Sequence, residues 1–429
     1  MGHLAAKQVY RDLQIRLDRM PVGAPNHEAL FEILKTLFSE EEAWIASRMP
    51  IRFTTIDTIV SRTGKREPYL KPLLEGMAEK GLLMDLERPN GKVYYVLCPT
   101  VIGFFEFSMM RVRSDYDQRK LSHLYHEYML NDPQNTFLKQ AVREQTQLVR
   151  TLVHETALSE ENFVEILNYE RASEIIREAK LHAVSLCHCR HVKHHLGEDC
   201  GHPMENCLSL GRGTNFLIKR KLAKQIDRDQ ALDILAQARE LGMVQSADNV
   251  QNRVSFICNC CGCSCSILEA FKRIQLNENS THTSNYIAYV NSESCTGCGK
   301  CVQACPIEAI SMKAGETTGE RPAKQSIIDE SRCLGCGVCV SSCPFKVITM
   351  QRRSRRIFTP EDSLERVLLM ALERKKLHHL IFDNIHSIPI RAINYLMGFI
   401  LNRPAIHRFL LKEGVKSRCI DFLLHYAKR

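Results

Sequence analysis

The chain has 429 residues, 25% charged and 44% hydrophobic, with 58 Lys+Arg against 49 Asp+Glu. Such a length accommodates about two to four domains, and the balance excludes collagen-like, disordered and small disulfide-scaffold architectures. No apolar run approaches the roughly 18 residues of a transmembrane segment, and Met1 to Lys7 lacks the apolar core of a signal peptide; a cytoplasmic location, with reduced thiols, is therefore expected.

The first expected domain covers residues 1–104. Ser39 and Glu42 form a capping-box pattern before a helix, Thr54 and Thr55 precede a second, and Leu70, Leu73, Leu74 and Met77 space the apolar face of a third, which Gly81 stops. Two alternating runs, Leu82 to Leu86 and Lys92 to Val96, flank the turn Pro89-Asn90-Gly91. This order of elements resembles a winged helix-turn-helix, a fold used for DNA reading and for protein contacts. Its charge favours docking or structural work over DNA binding. Residues 1–100 carry 14 Lys+Arg against 13 Asp+Glu, and Arg66, Lys71 and Lys80 on the third helix are interleaved with Glu67, Glu75 and Glu79. Phosphate neutralisation needs a basic excess.

Residues 105–180 read as a helical spacer without a catalytic motif. Residues 181–275 read as a small α/β cysteine-rich domain, in which the apolar runs Ala183 to Leu186 and Val254 to Ile257 are strands, each entering a group of cysteines. Cys187, Cys189, Cys200 and Cys207 make up the first group, and Cys258, Cys260, Cys261, Cys263 and Cys265 the second, with His188, His191, His194, His195 and His202 interleaved. In a reducing compartment, cysteines this dense point to metal rather than disulfides. On an extended chain residues two apart face one side, so Cys187 converges with Cys189, and Cys261 with Cys263 and Cys265. Thiol softness restricts the choice to zinc, iron-sulfur or cuprous copper, with a redox-active thiol site as a further alternative. The expected partition places one centre on Cys187, Cys189, Cys200 and Cys207 and another on four of the five later cysteines, with ligands shared between groups as the alternative.

Residues 285–352 hold an internal duplication. Residues 295–312, CTGCGKCVQACPIEAISM, align with 333–350, CLGCGVCVSSCPFKVITM, at an offset of 38 with 10 of 18 positions identical. Each copy reads C-x2-C-x2-C-x3-C-P, and the region resembles the bacterial dicluster 4Fe-4S ferredoxin domain. The resemblance implies two 4Fe-4S clusters with crossed ligation: Cys295, Cys298, Cys301 and Cys343 for one, Cys333, Cys336, Cys339 and Cys305 for the other. Gly297, Gly299, Gly335 and Gly337 are expected at positive φ, and Pro306 and Pro344 redirect the chain after each exchanged ligand. A neighbouring ferredoxin favours one or two further iron-sulfur clusters on the nine upstream cysteines over zinc. That upstream region also resembles cysteine-rich segments preceding ferredoxin repeats in anaerobic iron-sulfur proteins.

Residues 353–429 form the last segment, a basic helical tail with Leu364, Val367, Leu368, Ala371 and Leu372 at helical spacing. Residues 351–429 hold 16 Lys+Arg and 7 Asp+Glu, a surplus of +9 that equals the net charge of the whole chain. Such a tail suits an acidic redox partner protein or docking on an anionic membrane surface. Gly211-Arg212-Gly213 lacks the third glycine of a dinucleotide fingerprint, and no phosphate-binding loop or hydrolytic motif stands out. The sequence therefore describes a multidomain α+β electron-transfer protein, more an electron carrier or oxidoreductase subunit than a stand-alone enzyme. The alternatives are a redox-responsive DNA-binding regulator and the electron-input subunit of a larger oxidoreductase complex.

Overall fold

The computed structural model describes residues 2–134, 136–142, 146–160, 166–274, 282–314, 324–384 and 386–427. It divides into two compact units, one of residues 1–146, 215–222 and 361–429, the other of residues 147–214 and 223–360. The cysteine-rich and duplicated segments both fall in the second unit, and the expected spacer is divided between the two.

In the first unit, α1 (Gly2–Asp18), α2 (Glu28–Leu37), α3 (Glu40–Ala46), α4 (Ile56–Thr63) and α5 (Glu67–Glu79) precede a hairpin of β1 (Leu83–Glu87) and β2 (Val93–Leu97). Ser39 and Glu42 close the expected capping box on α3. Leu70, Leu74 and Met77 are buried on α5, and Gly81, at φ +74°, follows that helix. Lys80 is drawn inward to Glu42 at 2.5 Å and to the Leu37 carbonyl at 2.8 Å. Asp85, buried on β1, is held by Arg220 and Lys219. The C-terminal residues of this unit form the helices Ser363–Glu373, Leu377–Ile381, Ile388–Leu401, Pro404–Leu410 and Glu413–Ala427. Pro389 and Pro404 sit in first turns, where the missing N–H costs nothing. Leu368, Ala371 and Leu372 are buried as the spacing requires, whereas Leu364 is exposed. Among the described residues no helix is long and apolar enough to cross a membrane.

The second unit is built on a six-stranded sheet of β3 (Val149–Leu152), β4 (His182–Leu186), β5 (Glu205–Leu210), β6 (Lys224–Ile226), β7 (Val244–Asp248) and β8 (Phe256–Cys260), in the order β3-β7-β8-β5-β4-β6. Every neighbouring pair is antiparallel. Strand β3 lies inside the segment read as helical spacer. Its four residues are all buried, so the alternation that marks a strand is missing from the sequence. One face of the sheet buries Val184, Leu208, Ala247 and Ile257 against Ala172, Ile175 and Ile176 of α6 (Ala172–Glu178) and against Ala231 and Leu235 of a later helix. Past β4 runs α7 (His188–His195), α8 (Arg228–Glu240) supplies those last two residues, and α9 (Ser266–Ile274) follows β8.

The duplicated region folds as two similar halves. The first comprises β9 (Tyr286–Val290), α10 (Lys300–Ala304) and β10 (Ile310–Ala314); the second comprises β11 (Lys324–Ile328), α11 (Val338–Ser341) and β12 (Ile348–Arg352). Strand β9 pairs with β12 and β10 with β11, so each small sheet takes one strand from each half. Tyr286, Ala288, Ile310, Ile348 and Met350 form the core between them.

Candidate metal centres

Pairing the halves crosswise brings together cysteines distant in sequence. One cavity is lined by Cys295, Cys298, Cys301 and Cys343, together with Val290, Ser326 and Ile348. A second is lined by Cys333, Cys336, Cys339 and Cys305, together with Pro306, Ile307 and Leu334. In each, two thiols come from one loop, the third from the short helix that the loop enters, and the fourth from just past the short helix of the other half. Among the described residues no thiol–thiol hydrogen bond joins the four members of either set, which surround a space rather than closing on one another.

The loops that carry these thiols press on neighbouring backbone. Gly297 and Gly335 lie at φ +69° and +71°, and a Cβ there would stand 2.3 Å from the Lys324 carbonyl oxygen and 2.0 Å from that of Tyr286. Only glycine meets both demands. Gly299 and Gly337 also have positive φ. Ser326, which the sequence did not mark, places its hydroxyl 3.1 Å from Cys301 Sγ. Burial works against ionisation of Cys295, but hydrogen bonds from Ser326 and Gly297 bring its thiol below the usual range. Burial pushes Cys336 up to about 12. The rim of the second cavity is fixed by the His154 N–H donating to the Cys336 carbonyl and by Arg353 donating to that of Cys333.

The nine upstream cysteines gather at one end of the six-stranded sheet. Strands β4 and β8 flank β5 and run parallel to each other, so both deliver their C-terminal ends to the edge where β5 begins. Side-chain contacts then run from Cys187 to Cys189, Cys265, Cys260, Cys258 and Cys207, a continuous row of six thiols. Cys207 and Cys258 face each other across β5 and β8 with their sulfurs 3.5 Å apart. Cys187 is raised by the adjoining Cys189 thiol and by burial. Hydrogen bonds from Cys258 and Cys265 bring Cys260 down to about 6.

The other three cysteines form a separate set with a histidine. Cys200, His202, Cys261 and Cys263 bring their ligand atoms within 4.8 Å of one another. This division follows the alternative of ligands shared between the two groups rather than the partition by nearness in sequence. Register opposes Cys207 to Cys258, while Cys200 reaches Cys261, 3.8 Å away. The convergence expected of Cys261, Cys263 and Cys265 holds only for the first two. The chain turns there, with the Cys265 N–H donating to the Cys261 carbonyl, so Cys265 reaches Cys189 and Cys260 instead. His194, exposed at the end of α7, bonds Asp199, and His195 bonds His191.

Arg190 is a residue of this edge that the sequence reading passed over, since one arginine among histidines carries no pattern. It is 2% exposed and donates to Asn206 Oδ1 at 2.6 Å and to the carbonyls of Asn259 and Pro203. Among the described residues it has no carboxylate partner. Burial lowers its pKa, but Cys187, Cys261 and Cys260 outweigh that and hold it charged. A buried cation facing thiols from both sets calls for an anionic thiolate centre, which is the charge that metal loading supplies.

The cysteine-rich edge adjoins the duplicated domain. Cys265, Leu268 and Phe271 pack in one apolar cluster with Ile307, Leu334, Cys336 and Val338, with Cys189, Cys260 and Cys305 at its margin. Gly262 lies so close to Pro306 that a Cβ would stand 2.5 Å from its carbonyl oxygen.

No curated protein and no solved structure matches the chain. Residues 294–347 match the 4Fe-4S dicluster domain family. That match falls on the segment bearing both crossed cavities, and this part of the chain is a dicluster 4Fe-4S ferredoxin domain.

Proposed function

We propose that the protein relays single electrons to a redox partner protein through two 4Fe-4S clusters. Cys295, Cys298, Cys301 and Cys343 hold one, and Cys333, Cys336, Cys339 and Cys305 hold the other. The observation that carries this reading is the pair of cavities, each lined by three thiols of one repeat and the last thiol of its twin. Bound clusters supply one-electron chemistry at potentials of roughly −700 to +450 mV. The chain supplies thiolate anchors, backbone packed close by glycine, and apolar walls that exclude water.

A third iron-sulfur cluster belongs to the thiol row Cys187, Cys189, Cys207, Cys258, Cys260 and Cys265. Support comes from Arg190, whose buried charge faces that row, and from the shared packing of Cys265 with Cys336. Electrons would then enter or leave through a line of centres with the Cys305 cavity in the middle. The DNA-binding alternative is weaker because Lys80 is already paired with Glu42. The basic tail remains the surface for an acidic partner or an anionic membrane.

Anaerobic iron and sulfide analysis with EPR after reduction tests the reading. About 8 Fe are expected from the duplicated domain and about 12 with the third cluster. Cys343→Ser and Cys305→Ser should each alter a different reduced-cluster signal. Fewer than about 8 Fe in the intact protein, or one signal lost alike in both variants, would contradict it.

A further inference from the structure

We propose that Cys200, His202, Cys261 and Cys263 bind a single zinc-class divalent ion, at a site separate from the six-thiol row and from both cubane cavities. The inference is independent of the electron-relay reading.

Ligand spacing carries the argument. The four donor atoms lie within 4.8 Å of one another, and the Cys200 and Cys261 sulfurs are 3.8 Å apart. Bonds of about 2.3 Å to a tetrahedral ion place the ligands about 3.8 Å apart. A cubane instead puts each thiolate on a different iron. Four donors that all converge on one point, each within 4.8 Å of the other three, leave no room for it, whereas a single close pair within a longer row does not exclude it. The same molecule displays a wider arrangement, because the ferredoxin thiols surround cavities. Here the donors converge on a point.

Strand geometry keeps the set apart from its neighbours. Cys258 and Cys260 alternate with the buried Ile257 and Asn259 along β8, so Cys261 leaves the strand on the side away from the thiol row. The turn closed between Cys261 and Cys265 folds Cys263 back toward Cys200, while Cys265 continues to the row. Two short pairs, Cys200 with His202 and Cys261 with Cys263, thus clamp the approach to β5 onto the exit from β8.

Ligand chemistry agrees. Three thiolates and one imidazole form a usual closed structural set for zinc. Around a divalent ion they carry net negative charge, which answers the buried Arg190 guanidinium, whose charge Cys261 helps to hold. Because Cys263 is exposed, the ion can exchange with solvent.

The test uses the full-length protein prepared anaerobically with added zinc, and in parallel with cobalt(II) as a spectroscopic probe. About one zinc per chain is expected, and cobalt in its place should show the ligand-field and sulfur-to-cobalt bands of a tetrahedral thiolate site. Cys263→Ser, at an exposed position, and His202→Ala should each lose that one equivalent with iron content unchanged. His202→Cys should retain it. Loss of iron in step with Cys263→Ser or His202→Ala, or an intact protein that binds neither zinc nor cobalt, would overturn the proposal.

Discussion

Gly262→Ala tests the contact between the cysteine-rich edge and the ferredoxin domain. The new Cβ would stand 2.5 Å from the Pro306 carbonyl oxygen and 2.9 Å from its Cα. The first distance is about 0.9 Å short of the 3.4 Å at which ordinary contact begins. Both neighbours are backbone, so no side chain can swing aside. Gly262 has no positive φ, so alanine brings no backbone strain and itself contributes about 0.4–1 kcal/mol through the unfolded chain. Overpacking of this size costs about 1–3 kcal/mol, leaving a net loss of about 1–2 kcal/mol. The displacement falls next to Cys305, so the cluster anchored there should suffer first. Anaerobic urea unfolding followed by visible absorption, together with EPR of the reduced protein, reads both effects. Gly414→Ala, where a Cβ meets nothing within 4 Å, is the control. If Gly262→Ala leaves both the midpoint and the cluster signals at the control's values, the two elements are not pressed together and the reasoning fails.

Two further outcomes follow from buried charge. Arg190→Met removes the cation that faces the thiols and frees the Asn206 and Asn259 oxygens it now satisfies; metal analysis should show depletion of the upstream centres with the ferredoxin iron retained, at about 3–5 kcal/mol of stability. Unchanged metal content would show that Arg190 does not balance them. His282, buried with Ser246 Oγ 3.0 Å from its ring, is pushed down to about 4 by burial. With a depressed folded pKa, its contribution is full above pH about 6.5 and is lost as pH falls toward 4, amounting to about 3 kcal/mol. Replacing it with Gln should flatten the stability slope in that window by up to about 1.4 kcal/mol per pH unit in chemical unfolding, and identical slopes would refute the assignment.

The legible parts were those in which a short segment determines its own geometry. The capping box at Ser39, the stop at Gly81, the ferredoxin repeats and the four glycines of their loops all stand in the structure as the residues imply. What sequence could not supply was register. The opposition of Cys207 to Cys258 depends on how β5 lies beside β8, and the separate route of Cys265 depends on a turn among residues that also suit an extended chain. Strand β3 was hidden for a related reason, because burial on both faces erased its alternation. Arg190 carries meaning only once the thiols around it are known.

The apolar side of the central sheet thereby acquires a second task. Ile257 beside Leu208 and Ala247 fixes where β8 sits. Were that strand to slip by one residue, Ile257 and Asn259 would be presented where Cys258 and Cys260 now stand. An oily seam on one surface thus acts as the gauge that selects which sulfurs are offered on the other, and a mutation in it should change the inorganic cargo without touching a ligand.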